Sequence, residues 1–196
     1  MRERKNTGAF NRLFDILEYQ KKKFPQANAL NYFVNNKWHG YSIDQVIEQV
    51  NFVGCWLLEH GYKLGDKLAI VPRLGTPEWM ILDFACQQIG VILVPIHPIS
   101  TEDELHFILD ETEVKACIVA DSGLFHRYQS AIERLSFNIE YFHNEPALPG
   151  SFPAFNYGKP NSETLALLNS KKALISANAL VVILYTSGTS GRPKGV

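Results

Sequence analysis

The residues most able to do chemistry lie between Tyr185 and Val196, Tyr-Thr-Ser-Gly-Thr-Ser-Gly-Arg-Pro-Lys-Gly-Val. Gly188 and Gly191 open backbone angles that other residues avoid, so a loop here can fold tightly around a ligand. Successive backbone N–H groups in such a loop form a nest for anions. Thr186, Ser187, Thr189 and Ser190 add hydroxyl donors, and Arg192 and Lys194 add positive charge. Pro193 removes one donor and stiffens the exit. Donors, cations and glycine freedom after an apolar run describe a cradle for a polyphosphate. The same composition also describes a polar surface loop or an artificial tail, because Gly and Ser cluster in ordinary loops. Composition alone favours that plainer reading.

Two common phosphate-binding templates fail. A Walker loop requires G-x-x-x-x-G-K-[ST]. Counting from Gly188, its second glycine falls on Pro193, and Lys194 is followed by Gly195. The dinucleotide fingerprint G-x-G-x-x-G finds only its second half, in Gly188 and Gly191.

The order of the residues is more telling than their composition. Tyr185 to Val196 resembles the phosphate-loop signature of the AMP-forming acyl-CoA synthetases and their adenylating relatives. Those relatives include peptide-synthetase adenylation domains and luciferases. The usual form has Thr where this chain has Ser190, which keeps the hydroxyl. Looser matches lie upstream: Trp38-His-Gly-Tyr-Ser-Ile-Asp-Gln, Gly65-Asp-Lys-Leu-Ala-Ile-Val, Pro77-Glu-Trp, Gly90-Val-Ile-Leu-Val-Pro-Ile-His-Pro and Ala116-Cys-Ile-Val-Ala-Asp. The resemblance runs from about Asn11 to Val196, and the Trp38 and Gly90 blocks look most like the long-chain fatty-acid branch.

The resemblance implies an enzyme that activates a carboxylate with ATP as acyl-AMP and transfers the acyl group to coenzyme A, with magnesium accompanying the ATP. It implies that Thr186, Ser187, Gly188, Thr189, Ser190 and Gly191 contact the β- and γ-phosphates, that Lys194 balances their charge, and that Thr186 touches the metal. The family's catalytic residues, its adenine and ribose contacts and its mobile C-terminal domain are expected beyond residue 196. The chain is therefore read as a truncated N-terminal fragment, inactive alone. An acyl-AMP ligase that loads a carrier protein and a non-catalytic phosphate-binding module remain as alternatives.

The elements that must position the loop are legible from periodicity. Phe10, Leu13, Phe14 and Leu17 recur at helical spacing, and Pro25 stops that element. Strands are predicted at Leu30 to Val34 and Trp38 to Tyr41, joined by Asn35-Asn36-Lys37. Ser42 with Gln45 reads as a capping box before an apolar helical face at Val46, Ile47, Val50, Val53, Gly54, Leu57 and Leu58. Beyond Gly65, strands at Leu68 to Val71, Val91 to Ile96, Ala116 to Ala120 and Asn138 to Phe142 alternate with helices. One helix is predicted to be capped by Thr76 with Pro77 at its first position, one by Thr101 with Glu104, and one to span Leu124 to Leu135. This alternation predicts an α/β fold, a mostly parallel sheet with helices on both faces. The prolines and glycines of residues 144–161 mark an irregular connection between a subdomain over 1–143 and the start of another over 162–196. A helix near Glu163 to Ser170 and a strand at Leu180 to Leu184 complete the pattern. An apolar strand edge there would invite self-association.

The remaining features narrow the function class. The chain has 196 residues, 46% of them apolar and 20% charged, with a formal charge of −1. These values exclude wholesale disorder and offer no basic field for nucleic acid. Cys55, Cys86 and Cys117 lie in apolar stretches without a CxxC pair and read as buried free thiols. No apolar run approaches a membrane span and no secretory leader opens the sequence, so a cytoplasmic location is expected. Lys21-Lys22-Lys23 reads as a solvated helix end, with a membrane-surface contact as the alternative. His97 follows a predicted strand, where clefts open, yet it has no partner at catalytic spacing, and the other histidines show no metal spacing.

Overall fold

A computed structural model describes residues 10–34, 36–73, 75–145, 149–152, 159–186 and 192–196. Helix α1 (Asp15–Lys23) precedes an antiparallel hairpin of β1 (Leu30–Val34) and β2 (Lys37–Tyr41). The helical spacing reaches back to Phe10, but α1 starts only at Asp15. Its carboxylate accepts from the Arg12 backbone N–H at 3.2 Å and from the Arg12 guanidinium at 2.8 Å, which holds residues 12–15 in a turn. In the hairpin turn Asn36 has φ 58°, a backbone angle that Asn tolerates better than most residues.

Helix α2 (Ile43–Glu59) opens on the predicted capping box. The Gln45 backbone N–H donates to Ser42 Oγ at 3.2 Å, and the Ser42 backbone N–H donates to Gln45 Oε1 at 2.8 Å. The chain then alternates through β3 (Lys67–Val71), α3 (Glu78–Ile89), β4 (Ile92–Pro95), α4 (Glu102–Thr112), β5 (Ala116–Val119), α5 (Ser122–Glu133) and β6 (Glu140–His143). Helix α6 (Ser162–Leu174) and two short strands, β7 (Tyr185–Thr186) and β8 (Lys194–Gly195), follow. Strands β3 to β6 form a parallel sheet in the order β4-β3-β5-β6.

Alternate side chains of each strand point to opposite faces, so the sheet builds two cores. Leu68, Ile70, Leu93, Ala116 and Ile118 pack with α1, α2, α3 and α6. Ala69, Val71, Val94, Cys117 and Val119 pack with α4 and α5. Burying one such aliphatic side chain fully is worth about 1.5–3 kcal/mol. This is the predicted parallel α/β architecture with helices on both faces.

Three further local expectations differ from the structure. Thr76 does not cap α3; its hydroxyl donates to the Arg73 carbonyl at 3.0 Å and closes the preceding turn, and Pro77 stands at the cap without a side-chain bond. Helix α5 begins ahead of Leu124, because Asp121 caps it: its carboxylate accepts from the Leu124 N–H at 2.8 Å. Residues Leu180 to Leu184 form a single parallel bridge, Val182 to Leu93, in place of a full strand. Leu93 accounts for both backbone bonds: its N–H donates to the Val181 carbonyl and its carbonyl accepts from the Ile183 N–H, each at 3.0 Å. The next outward-facing residue of β4 is Pro95, which has no N–H to continue the ladder.

Gly90 ends α3 with φ 75°. A Cβ there would lie 2.2 Å from Leu64 Cδ1, but Leu64 is exposed and can swing aside, so the left-handed backbone sets the cost. Gly90→Ala is expected to lower the unfolding free energy by about 1–2 kcal/mol, read as a lower urea midpoint. Asp83 on α3 has a buried Oδ1 with no hydrogen-bond partner among the described residues, and burial raises its carboxyl, a Gln87 hydrogen bond partly opposing. Ionising it therefore costs the folded state stability once the pH passes the unfolded value. Asp83→Asn is expected to raise the urea midpoint at pH 7 and to lose that advantage below about pH 3.9; equal midpoints at both pH values would contradict this.

Candidate functional site

The glycine-rich segment is held at its neck by an antiparallel pair. Tyr185 stands opposite Gly195, and Thr186 opposite Lys194. Leu184 and Val196 exchange both backbone hydrogen bonds at 2.9 Å, so the ladder continues past the named strands. Gly195 sits in a close approach: a Cβ would lie 3.2 Å from both Ile183 Cγ2 and Tyr185 Cζ, side chains that would have to give by a few tenths of an ångström. Ile183 and Tyr185 pack onto the core beneath α4 and α5, which leaves Thr186 exposed.

Directly opposite residues of an antiparallel pair share a face. The structure therefore brings two predicted phosphate-contacting residues together, the Thr186 hydroxyl and the Lys194 ammonium, both exposed. The predicted contacts Ser187, Gly188, Thr189, Ser190 and Gly191 lie outside the described residues. Lys194 makes no ion pair among the described residues.

Helix α4 supports both stems. The Tyr185 hydroxyl donates to the Glu111 carboxylate. Burial first, then this bond and the carboxylate's charge, push the Tyr185 phenol far above its ordinary range, so it stays protonated and donating. On the other stem the Arg192 guanidinium lies 5.8 Å from the centre of the Phe107 ring. A groove of ≈ 280 Å³ runs there between Asp103, Glu104, Phe107, Arg192 and Pro193. Sequence reading missed Phe107 and Glu111. The apolar positions of α4 marked only its core face, and no local signal shows what will fold back onto its flank.

The other chemistry-bearing residues are placed as follows among the described residues. The strand order reverses between β3 and β5, where open α/β sheets often bind ligands beyond the carboxyl ends of the strands. The crevice there, between Pro72, Arg73, Glu78, Ala120 and Asn144, holds ≈ 10 Å³, room for about one water. His97 is a turn residue, its Nδ1 accepting from the Ile99 N–H at 3.3 Å. His143 is buried and ties down the segment beside β6, with Nε2 2.8 Å from the Pro149 carbonyl. Lys21 to Lys23 form the last turn of α1, and Lys21 pairs with Asp44 at 2.6 Å. Trp56 is in the core, whereas Trp38 is 74% exposed and Trp79 40% exposed. Among the described residues no His, Cys, Asp and Glu cluster suits a metal, and no helix is long and apolar enough to cross a membrane.

Comparison with known proteins adds the family to this geometry. Residues 17–196 match the model of the AMP-binding enzyme family. The chain belongs to that family. It is 24% identical over 165 residues to the long-chain-fatty-acid–CoA ligase FadD15 of Mycobacterium bovis, covering 83% of this chain and 27% of that protein. It is 25% identical over 175 residues to the Drosophila melanogaster long-chain-fatty-acid–CoA ligase heimdall, covering 83% of this chain and 25% of that protein. The chain thus spans about a quarter of the length of these curated relatives. A crystal structure of a fatty acyl-adenylate ligase from L. pneumophila, in complex with acyl adenylate and pyrophosphate, shares the fold. Its TM-score is 0.66 at 18% identity, covering 95% of this chain and 30% of that one. The AMP-binding fold here is the parallel sheet with helices on both faces, and the loop neck stands at its edge.

Thiol chemistry is silent in this arrangement. Cys55, Cys86 and Cys117 are all buried and free. Burial pushes the Cys55 thiol up to about 11 and the Cys117 thiol up to about 12, and raises Cys86 well above its ordinary value. Thiolate is the reactive form. The native chain at pH 8 is therefore expected to resist iodoacetamide at all three cysteines, and urea should expose them to labelling, as read by mass spectrometry. Rapid labelling of any one under native conditions would count against this packing.

Proposed function

We propose that the protein carrying this sequence is an ATP-dependent acyl-CoA synthetase acting on a long-chain fatty acid. The observation that carries the reading is the loop neck: Thr186 beside Lys194, at the two ends of a glycine-rich segment whose residue order matches the family's phosphate loop. The names of the curated relatives support a fatty acyl substrate.

In this reading a carboxylate oxygen attacks the α-phosphorus of ATP, the bond to the β-phosphate bridging oxygen breaks, and pyrophosphate leaves. Coenzyme A sulfur then attacks the acyl carbonyl, and AMP leaves as the thioester forms. The loop's part is to position the polyphosphate and to stabilise charge that grows on the departing pyrophosphate. Lys194 supplies a point charge, and Ser187, Gly188, Thr189, Ser190 and Gly191 supply N–H and hydroxyl donors. Magnesium usually takes few protein ligands beside the substrate's phosphate oxygens. The exposed Thr186 hydroxyl fits one such position, and the metal would neutralise phosphate charge there. The groups that bind adenine, select the acyl chain and complete catalysis are assigned to the rest of the protein, so this chain alone is inactive. We read residues 1–143 as one subdomain, 144–161 as its exit and 162–196 as the start of the next.

A second reading has one supporting observation. The fold is shared with a fatty acyl-adenylate ligase, which suits the alternative of an acyl-AMP ligase that loads a carrier protein.

The test is carboxylate-dependent exchange of labelled pyrophosphate into ATP, with acids from acetate to palmitate. The full-length polypeptide and this chain are compared side by side. Exchange by the full-length protein alone, strongest with long acids, is expected. Lys194→Ala in that protein should reduce the rate on the order of tenfold to a hundredfold. An intact full-length protein that exchanges with no acid would overturn the synthetase reading in favour of a non-catalytic phosphate-binding module.

A further inference from the structure

The two contacts that hold the loop's stems come from one face of one helix. Phe107 and Glu111 are four residues apart on α4, adjacent on the helix surface. Glu111 holds Tyr185, the residue just before Thr186 on the entry stem. Phe107 receives Arg192, two residues ahead of Lys194 on the exit stem. Neither contact is local, since 74 residues separate Tyr185 from Glu111.

Helix α4 is a stiff platform for this purpose. The Glu104 N–H donates to the capping hydroxyl of Thr101 at 3.2 Å, and the Thr101 N–H donates to Glu104 Oε2 at 2.8 Å. Leu105, Ile108 and Leu109 anchor its other face in the core. His106 Nδ1 lies 3.0 Å from the Ala131 carbonyl of α5, and Arg134 beyond α5 pairs with Asp103 at 3.0 Å. A loop whose two stems are fixed to such a platform loses less conformational freedom on binding than one whose stems move independently.

We infer that Phe107 and Glu111 are positioning residues that clamp both stems of the glycine-rich segment to α4 and so hold Thr186 beside Lys194 for a polyphosphate. The inference rests on the phosphate-cradle reading above. Neither residue touches the reacting atoms. Each acts through a stem residue, Phe107 through Arg192 and Glu111 through Tyr185.

Two readouts on this chain separate the inference from that reading. The first is hydrogen exchange at the Leu184 and Val196 amides, which report the neck directly. Glu111→Ala and Phe107→Leu should speed exchange there by roughly three- to tenfold, while Glu111→Gln, which keeps an acceptor, and Phe107→Tyr, which keeps the ring, stay near the parent rate. The second is calorimetric binding of magnesium pyrophosphate. The disruptive pair should weaken binding by a similar factor and the conservative pair should restore it. A variant with a lower melting temperature but an unchanged dissociation constant and unchanged exchange at the neck would make the contacts merely structural and overturn the clamp. If the parent chain fails to bind pyrophosphate, the cradle reading falls instead, and unchanged neck exchange in Glu111→Ala would still overturn the clamp by itself.

Discussion

Among the described residues, one backbone residue, Leu93, ties the segment before the loop neck to the parallel sheet. Its N–H and carbonyl are the hydrogen bonds that join the Val181–Ile183 segment to the parallel sheet. Pro95, two residues on, stops the pairing because it has no donor to offer. A longer ladder would have carried the arm along β4 as an ordinary edge strand. A single bridge instead lets it leave the sheet at Leu184 and pair with its own return segment. The loop neck is thus set at the carboxyl end of β4, with Ile183 and Tyr185 as its apolar footing.

Charge is distributed unevenly about that neck. Glu102, Asp103 and Glu104 crowd the first turn of α4, where they favour the helix dipole, and Glu111 lies near its other end. Arg192 leans towards this acidic helix. Lys194, across the pair from Thr186, makes no ion pair among the described residues. The two cations of the same short segment therefore have different environments, one engaged with the scaffold and one facing outward. That division suits a loop that must be held by its stems while presenting charge to a ligand.

The sheet's centre offers little room for a ligand among the described residues. In many open α/β folds the reversal of strand order creates the binding crevice. Here the reversal point, between β3 and β5, is filled by Pro72, Arg73, Glu78 and Asn144 and leaves room for about one water. An Arg73–Asp121 contact at 3.5 Å spans its rim. The parallel sheet is a frame, and the segment proposed to bind phosphate is a hairpin appended to it. That is in keeping with a family whose matched region runs through the loop to residue 196.

Much of this was legible in the sequence because it depends on neighbours along the chain. The Ser42–Gln45 and Thr101–Glu104 boxes, the alternation of strand and helix segments and the ordered residues from Tyr185 to Val196 are all short-range signals. They were enough for the fold class and for the family resemblance. Local signals misled where two groups competed for one donor or acceptor. The Thr76 hydroxyl had a carbonyl of its own turn within reach, and Asp121 captured the Leu124 N–H ahead of the expected helix start. What only the tertiary structure decided is long-range: that Val182 meets Leu93, that Thr186 faces Lys194, and that Phe107 and Glu111 receive the two stems. Periodicity shows that a side chain faces a core or the solvent. It carries no record of which distant segment will pack there, because that choice is made by the burial of the whole sheet at once.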